Sequence, residues 1–324
     1  MWGGFIDLES LQGPTWKAPF PNDSPIVSFA YGRHSLSFIL QEEKPSAIHL
    51  PSYICNSVVE AVQSLSIPIH FYPIAADFTP ILPKVGHQEQ VLVVNYFGLL
   101  SDQWVKSLAT EYQNRLILDL THAWFQVPPD SVWAFNSTRK FLGVPDGSVL
   151  WFPKHHRKEI QFPHNTPEYR HLIERSLGHP AEAYRIFSEY EESISVKPLL
   201  LQSDLSTRIL QKTDFEAIAN TRKSNYQQIQ QALSPYNSIS LPQTHYGVAF
   251  AYPLLPHQPK SFESFHKQGI FIPQLWKDVL QRIPSADYQT ITFSQQLLPI
   301  PLDQRYSSIQ IQEMLDKLIS ILEK

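Results

Sequence analysis

The chain has 324 residues, 43% of them hydrophobic and 17% charged, the balance of a folded protein rather than a disordered one. Its 26 basic and 30 acidic side chains leave a formal net charge of -4, so no basic excess exists to neutralise a nucleic-acid backbone. The single cysteine, Cys55, excludes an internal disulfide framework and any multi-cysteine metal site. The opening MWGGFIDLES has no basic segment followed by an apolar one, and no run long enough to cross a membrane follows. A cytoplasmic protein without membrane contact is therefore expected.

In chain order, the spacing of Leu36, Ile39 and Leu40 predicts a helix over 33–42. Ala47–Leu50 reads as a short strand. Ser57 and Glu60 are spaced as a capping box ahead of Val58, Val59 and Val62. His70–Ile74 is a strand, and Val91–Tyr96 is an apolar run that reads as a strand covered on both faces. Ser101 is placed to cap a helix carrying Trp104, Leu108 and Tyr112. Leu116–Leu120 is a further buried strand with Asp119 near its end. Val132–Asn136 and Ser148–Phe152 are short strands on either side of the polar loop Ser137–Gly147.

From about Gly178 the pattern turns helical, over 178–193 and 203–234. Val248–Leu254 and Gly269–Pro273 read as strands, and Ser307–Glu323 as a last helix. Strand and helix alternate in the first half, which predicts a mostly parallel sheet with helices on both faces. The expected division is a large α/β domain over 1–180 and a smaller α+β domain over 181–324. Ligands of such sheets bind at the carboxyl ends of the strands, where Asp119 and Asn95 fall.

Common phosphate-loop, dinucleotide and nucleophile-elbow motifs are absent from the sequence. His155 and His156 are adjacent, and neighbours on a strand point to opposite faces, so no metal site is expected. The informative stretch runs from Asp119 to Gly147. A carboxylate ends a buried strand, His122 follows it, and Lys140 lies in the next loop. This pairing suits pyridoxal 5'-phosphate. The lysine amine can form a Schiff base with the cofactor aldehyde, and the aspartate can keep the ring nitrogen protonated. At about 4 Å and an effective dielectric of about 20, such a pair interacts by roughly 4 kcal/mol, about three pKa units. Tyr31-Gly32-Arg33-His34-Ser35 opens a helix, whose first N–H groups and dipole can hold the phosphate. Ser35, Arg33 and, near the lysine, Ser137 are candidate side-chain donors.

Several segments together resemble the DegT/StrS family of PLP-dependent enzymes, of aspartate-aminotransferase fold (fold type I), and a compact branch of it in particular. They are GGFIDLE at 3–9, YGRHSLSFIL at 31–40, LPSYICNSV at 50–58, VLVVNYFGL at 91–99, LILDLTHAWF at 116–125 and STRKFLGVPDGS at 137–148. RKSNYQQIQQAL, GIFIPQLW and LPIPLDQRY are less specific matches in the second half.

The resemblance implies an aminotransferase that moves an amino group from an amino-acid donor to a keto sugar carried on a nucleotide, within a homodimer. It implies that Lys140 carries the cofactor and shuttles the proton, that Asp119 holds the pyridine nitrogen, and that His122 lies beside the ring. Gly32, Arg33, His34 and Ser35 would contact the phosphate with help from Ser137, with Asn95 close by. Either Tyr53 or Cys55 would lie over the ring face. Two other readings share the same residues: a PLP enzyme of another reaction type, and a non-catalytic scaffold of the same fold.

Overall fold

The computed structural model describes residues 2–9, 15, 19–20, 26–154, 156, 160–242, 247–283 and 286–324. Strand β1 (Trp2–Gly3) is followed by β2 (Ile26–Phe29), helix α1 (Gly32–Glu43), β3 (Ala47–Pro51), α2 (Asn56–Gln63), β4 (Ile69–Tyr72) and β5 (Glu89–Val94). Next come α3 (Asp102–Tyr112), β6 (Leu116–Asp119), β7 (Trp133–Phe135) and β8 (Ser148–Trp151). The large sheet has the order β2-β8-β7-β6-β5-β3-β4. Only β8 runs against its neighbours; every other pairing is between strands that point the same way. The expected mostly parallel α/β sheet is therefore present.

Its centre is dry. Val91, Leu92, Val93, Leu116 and Ile117 are fully buried, because crossover helices cover both faces of a parallel sheet. Register matters more for function. Val94 pairs with Asp119, and Asp119 pairs with Phe135. The ends of β5, β6 and β7 therefore line up, and the residues that leave them share one edge of the sheet.

Local signals decide where the helices begin. Ser101 caps α3 and accepts the Trp104 N–H at 3.2 Å. The expected capping box at Ser57 and Glu60 does not form. Helix α2 starts earlier, with Cys55 extended at the N-cap and no side-chain cap. Ser57 then lies inside the first turn, its Oγ 3.1 Å from the Cys55 sulfur, and Asn56 donates to Glu60 instead. A complete capping box does occur at Ser307 and Gln310.

The second half adds α4 (Arg170–Ser176), α5 (Pro180–Ser193), α6 (Asp204–Leu210), α7 (Phe215–Leu233), β9 (Tyr252–Leu254), α8 (Phe262–His266) and β10 (Ile270–Phe271). It ends with α9 (Val279–Arg282), α10 (Tyr288–Gln296), β11 (Leu298–Ile300) and α11 (Ser308–Leu322). The helical stretch expected over 203–234 is two helices, because Asp214 restarts the chain as the N-cap of α7. The strands expected at 248–254 and 269–273 are shorter than their apolar runs. Proline is part of the reason at the second, since Pro273, just beyond β10, lacks the N–H a ladder needs.

Strands β9 and β11 pair antiparallel, and β1 pairs parallel with β10. One apolar cluster surrounds the large sheet. A second gathers Tyr226, Ile229, Leu254, Leu298, Ile300, Leu315 and Leu318 with Trp2 from the start of the chain.

The N-terminal segment also laces onto the lysine loop. Glu9 donates its N–H to the Gly143 carbonyl at 3.1 Å, and its carboxylate accepts from the Gly143 N–H at 3.3 Å. A Cβ on Gly143 would lie 1.7 Å from the Asp7 carbonyl oxygen, so only glycine fits here. Gly143→Ala is expected to lose about 1–3 kcal/mol, the usual scale of a forced backbone shift. Urea unfolding measures this, and a midpoint equal to wild type would refute the contact.

Candidate active site

Asp119 ends β6 and is 4% exposed. Its Oδ1 accepts the Thr121 N–H at 2.8 Å and also the Thr121 hydroxyl. These bonds turn the carboxylate toward the chain that follows it. Oδ2 makes no hydrogen bond to the described residues. Burial raises the pKa of Asp119 above 3.8, while the Thr121 bonds and the Lys140 charge pull it back down. The Lys140 charge is thus felt at the buried carboxylate.

Lys140 leaves β7 by a single 3₁₀ turn, Thr138–Lys140. The loop is anchored at both ends. Thr138 donates to the Gly147 carbonyl at 2.9 Å, and Gly147 donates to Ala30 at 2.7 Å. Gly147 has φ +137, and a Cβ there would meet the Gln202 side chain at 2.8 Å. Asp146, wholly buried, accepts from the Ser203 N–H at 3.0 Å, the Ser203 hydroxyl at 2.7 Å, Asn165 at 2.9 Å and the Ser206 hydroxyl. The carboxylate is thereby fixed at the start of α6, which suits the positive end of a helix. The loop that carries the lysine is held rigidly.

Beside the amine stands His122, with Lys140 Nζ 3.2 Å from its Nε2. The imidazole is 1% exposed. Phe250 stacks on it at 4.4 Å and 15°, Trp276 lies nearly parallel at 5.8 Å, and Phe97 is tilted at 5.2 Å. Burial, reinforced by the Lys140 charge, drives the His122 pKa well below 6.5. His122 is therefore neutral near pH 7, and Nε2 accepts from the lysine ammonium. Its Nδ1 is buried and has no partner among the described residues. The Lys140 amine also sits 5.5 Å from the centre of the Phe250 ring.

Helix α1 points its N-terminus at the same edge. The ideal Cβ position of Gly32 is 3.4 Å from the Asn136 carbonyl, which puts the first turn against the residue preceding Ser137. First-turn N–H groups have no partner within the helix. The side chains of that turn are used elsewhere. Arg33 donates to the Ile194 carbonyl at 2.8 Å, His34 bonds the Ser195 carbonyl at 3.0 Å, and Ser35 bonds Ser148 at 2.7 Å. The Arg33 and His34 side chains are thus engaged by segment 194–200, and the Ser35 hydroxyl by Ser148. Asn95 is likewise committed, its amide bonding Gln126 at 2.7 Å and Leu100.

Tyr53 is wholly buried in an aromatic group, edge-on to Trp276 at 4.6 Å, and its hydroxyl has no partner among the described residues. Cys55 is half-buried and turned toward Ser57. Phe250, Trp276 and Thr121 complete the surroundings of the lysine and aspartate. They were not expected from the sequence, because the two rings arrive from segments more than a hundred residues away. His155 lies outside the described residues, and among the described residues no cluster of histidine, cysteine or carboxylate side chains could hold a metal ion.

These residues fit pyridoxal phosphate. The site offers an amine for the aldehyde, an unshared carboxylate oxygen for the pyridinium nitrogen, an orphaned imidazole nitrogen, and a helix N-terminus for the phosphate.

Comparison with solved structures supports the fold reading. DesV from S. venezuelae, solved with a ketimine intermediate, superposes with a TM-score of 0.66 at 14% identity, over 92% of this chain and 85% of its own. The sugar aminotransferase CalS13 from Micromonospora echinospora gives 0.64 at 12% identity, over 91% and 87%. NtdA from Bacillus subtilis, with bound cofactor PMP, gives 0.61 at 12%, over 92% and 73%. No family model and no curated protein sequence matches the chain. The chain has the fold of these aminotransferases.

Proposed function

We propose that the chain is a PLP-dependent aminotransferase of the DegT/StrS family, moving an amino group from an amino-acid donor to a keto sugar carried on a nucleotide. The observation that carries this reading is the Lys140 amine 3.2 Å from neutral His122, its charge felt at buried Asp119, at the carboxyl edge of an aminotransferase-type sheet. A working homodimer in the cytoplasm, with a large domain over 1–180 and a small one over 181–324, belongs to the same proposal.

Bound there, the cofactor supplies an electron sink for cleavage of a bond at the substrate carbon. Lys140 Nζ would hold the cofactor through its aldehyde and would move a proton at the substrate carbon as general acid and base. Asp119 Oδ2 would pair with the ring nitrogen, its orientation set by Thr121. The Gly32 and Arg33 N–H groups and the Ser137 hydroxyl would bind the phosphate. His122 accepts a hydrogen bond from the lysine ammonium and, being neutral, adds no charge of its own. Phe250, Trp276 and Tyr53 exclude water from one side of the amine.

The test is borohydride reduction of protein incubated with PLP, followed by peptide mass mapping. A pyridoxyl group on Lys140 is expected, and a group found only on other lysines would refute the assignment. Added glutamate should convert the bound cofactor to its pyridoxamine form. Two-substrate kinetics should give parallel initial-rate lines, as alternating use of one site requires; intersecting lines count against it.

A further inference from the structure

Arg222, on α7, is 1% exposed, and among the described residues its guanidinium hydrogen bonds all go to neutral oxygens. One terminal nitrogen donates to the Phe141 carbonyl at 3.2 Å, next in sequence to Lys140. The other donates to the Ala249 and Phe250 carbonyls at 3.2 and 3.3 Å. Nε donates to Gln304 Oε1 at 2.9 Å, and the Gln304 amide in turn reaches the same Phe141 carbonyl at 2.9 Å. The guanidinium lies 4.6 Å from the centre of the Phe141 ring. One side chain thus ties the backbone beside Lys140 to the backbone of Phe250, whose ring stacks on His122.

A buried cation held by neutral acceptors is a costly way to fill a core, since apolar residues of similar size do so as well or better. Burial draws its pKa down to about 10, against the pull of Asp303 and Glu9, so it remains charged at neutral pH. What the guanidinium offers is a rigid planar fork that spans several acceptors at once. The acceptors it spans are those that set the distance between the lysine loop and the ring covering His122.

We propose that Arg222 is a positioning residue, which holds the Lys140 loop and Phe250 in register so that the lysine amine meets an enclosed His122. This rests on the cofactor reading only for its consequence in catalysis; the register itself is a property of the ligand-free protein.

The experiment compares wild type, Arg222→Met and Ile229→Ala, the last a buried core truncation on the same helix. Two quantities are read. The first is the titration of His122 in ligand-free protein, followed by NMR of labelled histidine and assigned through His122→Gln. The groups facing this ring are the Lys140 amine and the rings of Phe97, Phe250 and Trp276. The second is the rate of pyridoxyl trapping on Lys140.

In wild type, His122 should stay neutral well below pH 6.5. In Arg222→Met it should titrate near its ordinary value of about 6.5, and trapping should slow by about 10²-fold, the effect of a misplacement of about 1 Å. Ile229→Ala should lose stability and change neither quantity. If Arg222→Met behaves as Ile229→Ala does, the positioning role is overturned. Should Arg222→Met not fold, Arg222→Lys takes its place; it keeps the charge but not the fork, and wild-type values for both quantities would overturn the proposal equally. Wild-type protein whose Lys140 is never trapped refutes the cofactor reading alone, and the His122 titration still decides the role of Arg222.

Discussion

Lys140→Ala is expected to leave a folded protein that forms no covalent adduct with PLP and has no measurable aminotransfer. The side chain is half-buried at the end of a 3₁₀ turn, and among the described residues its amine bonds only His122. The fold does not depend on it. Truncation removes one hydrogen bond and a contact with Phe250, a loss of about 1 kcal/mol or less. The chemical loss is far larger. General acid–base transfer alone is worth about 10²–10⁴-fold, and the covalent tether to the cofactor goes with it. Absorbance with PLP, mass after borohydride and a thermal melt together check the expectation. An unchanged melt with no pyridoxyl peptide is the predicted pair of results. Full activity in this variant would remove Lys140 from the mechanism.

Asp119→Asn separates function from stability in opposite directions. The amide keeps the carbonyl-type acceptor for the Thr121 N–H and hydroxyl, so the turn after β6 should persist. It cannot hold a proton on the cofactor's ring nitrogen. A pair at about 4 Å is worth roughly 4 kcal/mol at an effective dielectric of about 20, so activity should fall by about three orders of magnitude. Stability of the ligand-free protein should rise. Burial raises the folded-state pKa of Asp119 above 3.8, so between 3.8 and that raised value the folded chain binds more protons than the unfolded one. Wild-type stability therefore declines as pH rises through that window and stays reduced above it. Asparagine never ionises and escapes the decline. Thermal melts without cofactor should show the variant above wild type at pH 7, with the gap closing below pH 3.8. A variant that is less stable at pH 7 would show that the Asp119 charge is already matched inside the ligand-free protein.

The two groups in these predictions were legible in the chain before it was folded. Asp119 closes an apolar run, and Lys140 sits in a loop between two others, so both had to emerge at strand ends. The alternation of strands and helices placed those ends on one edge. Ser101 and its helix could be read for the same reason: a cap is a local bond between near neighbours. The Ser57 capping box was misread because Cys55, extended at the N-cap, started α2 early and shifted the register of the first turn.

What could not be read was supplied from a distance. Phe250 and Trp276 close over His122 from segments about 130 and 150 residues downstream, and Arg222 reaches Phe141 from α7. Nothing in their own neighbourhoods marks them, since an aromatic or an arginine in an amphipathic stretch has many possible surroundings. The bonds from the Arg33 and His34 side chains to segment 194–200 are equally distant in sequence and equally unmarked.

The sequence by itself determined the class of sheet, the order of amine and carboxylate along it, and the absence of a cysteine framework, because periodicity and composition are local or additive. Only the tertiary structure decided the protonation of His122, the free oxygen of Asp119 and the brace at Arg222. Each of these depends on which groups are withdrawn from water together, and that is settled when the chain packs.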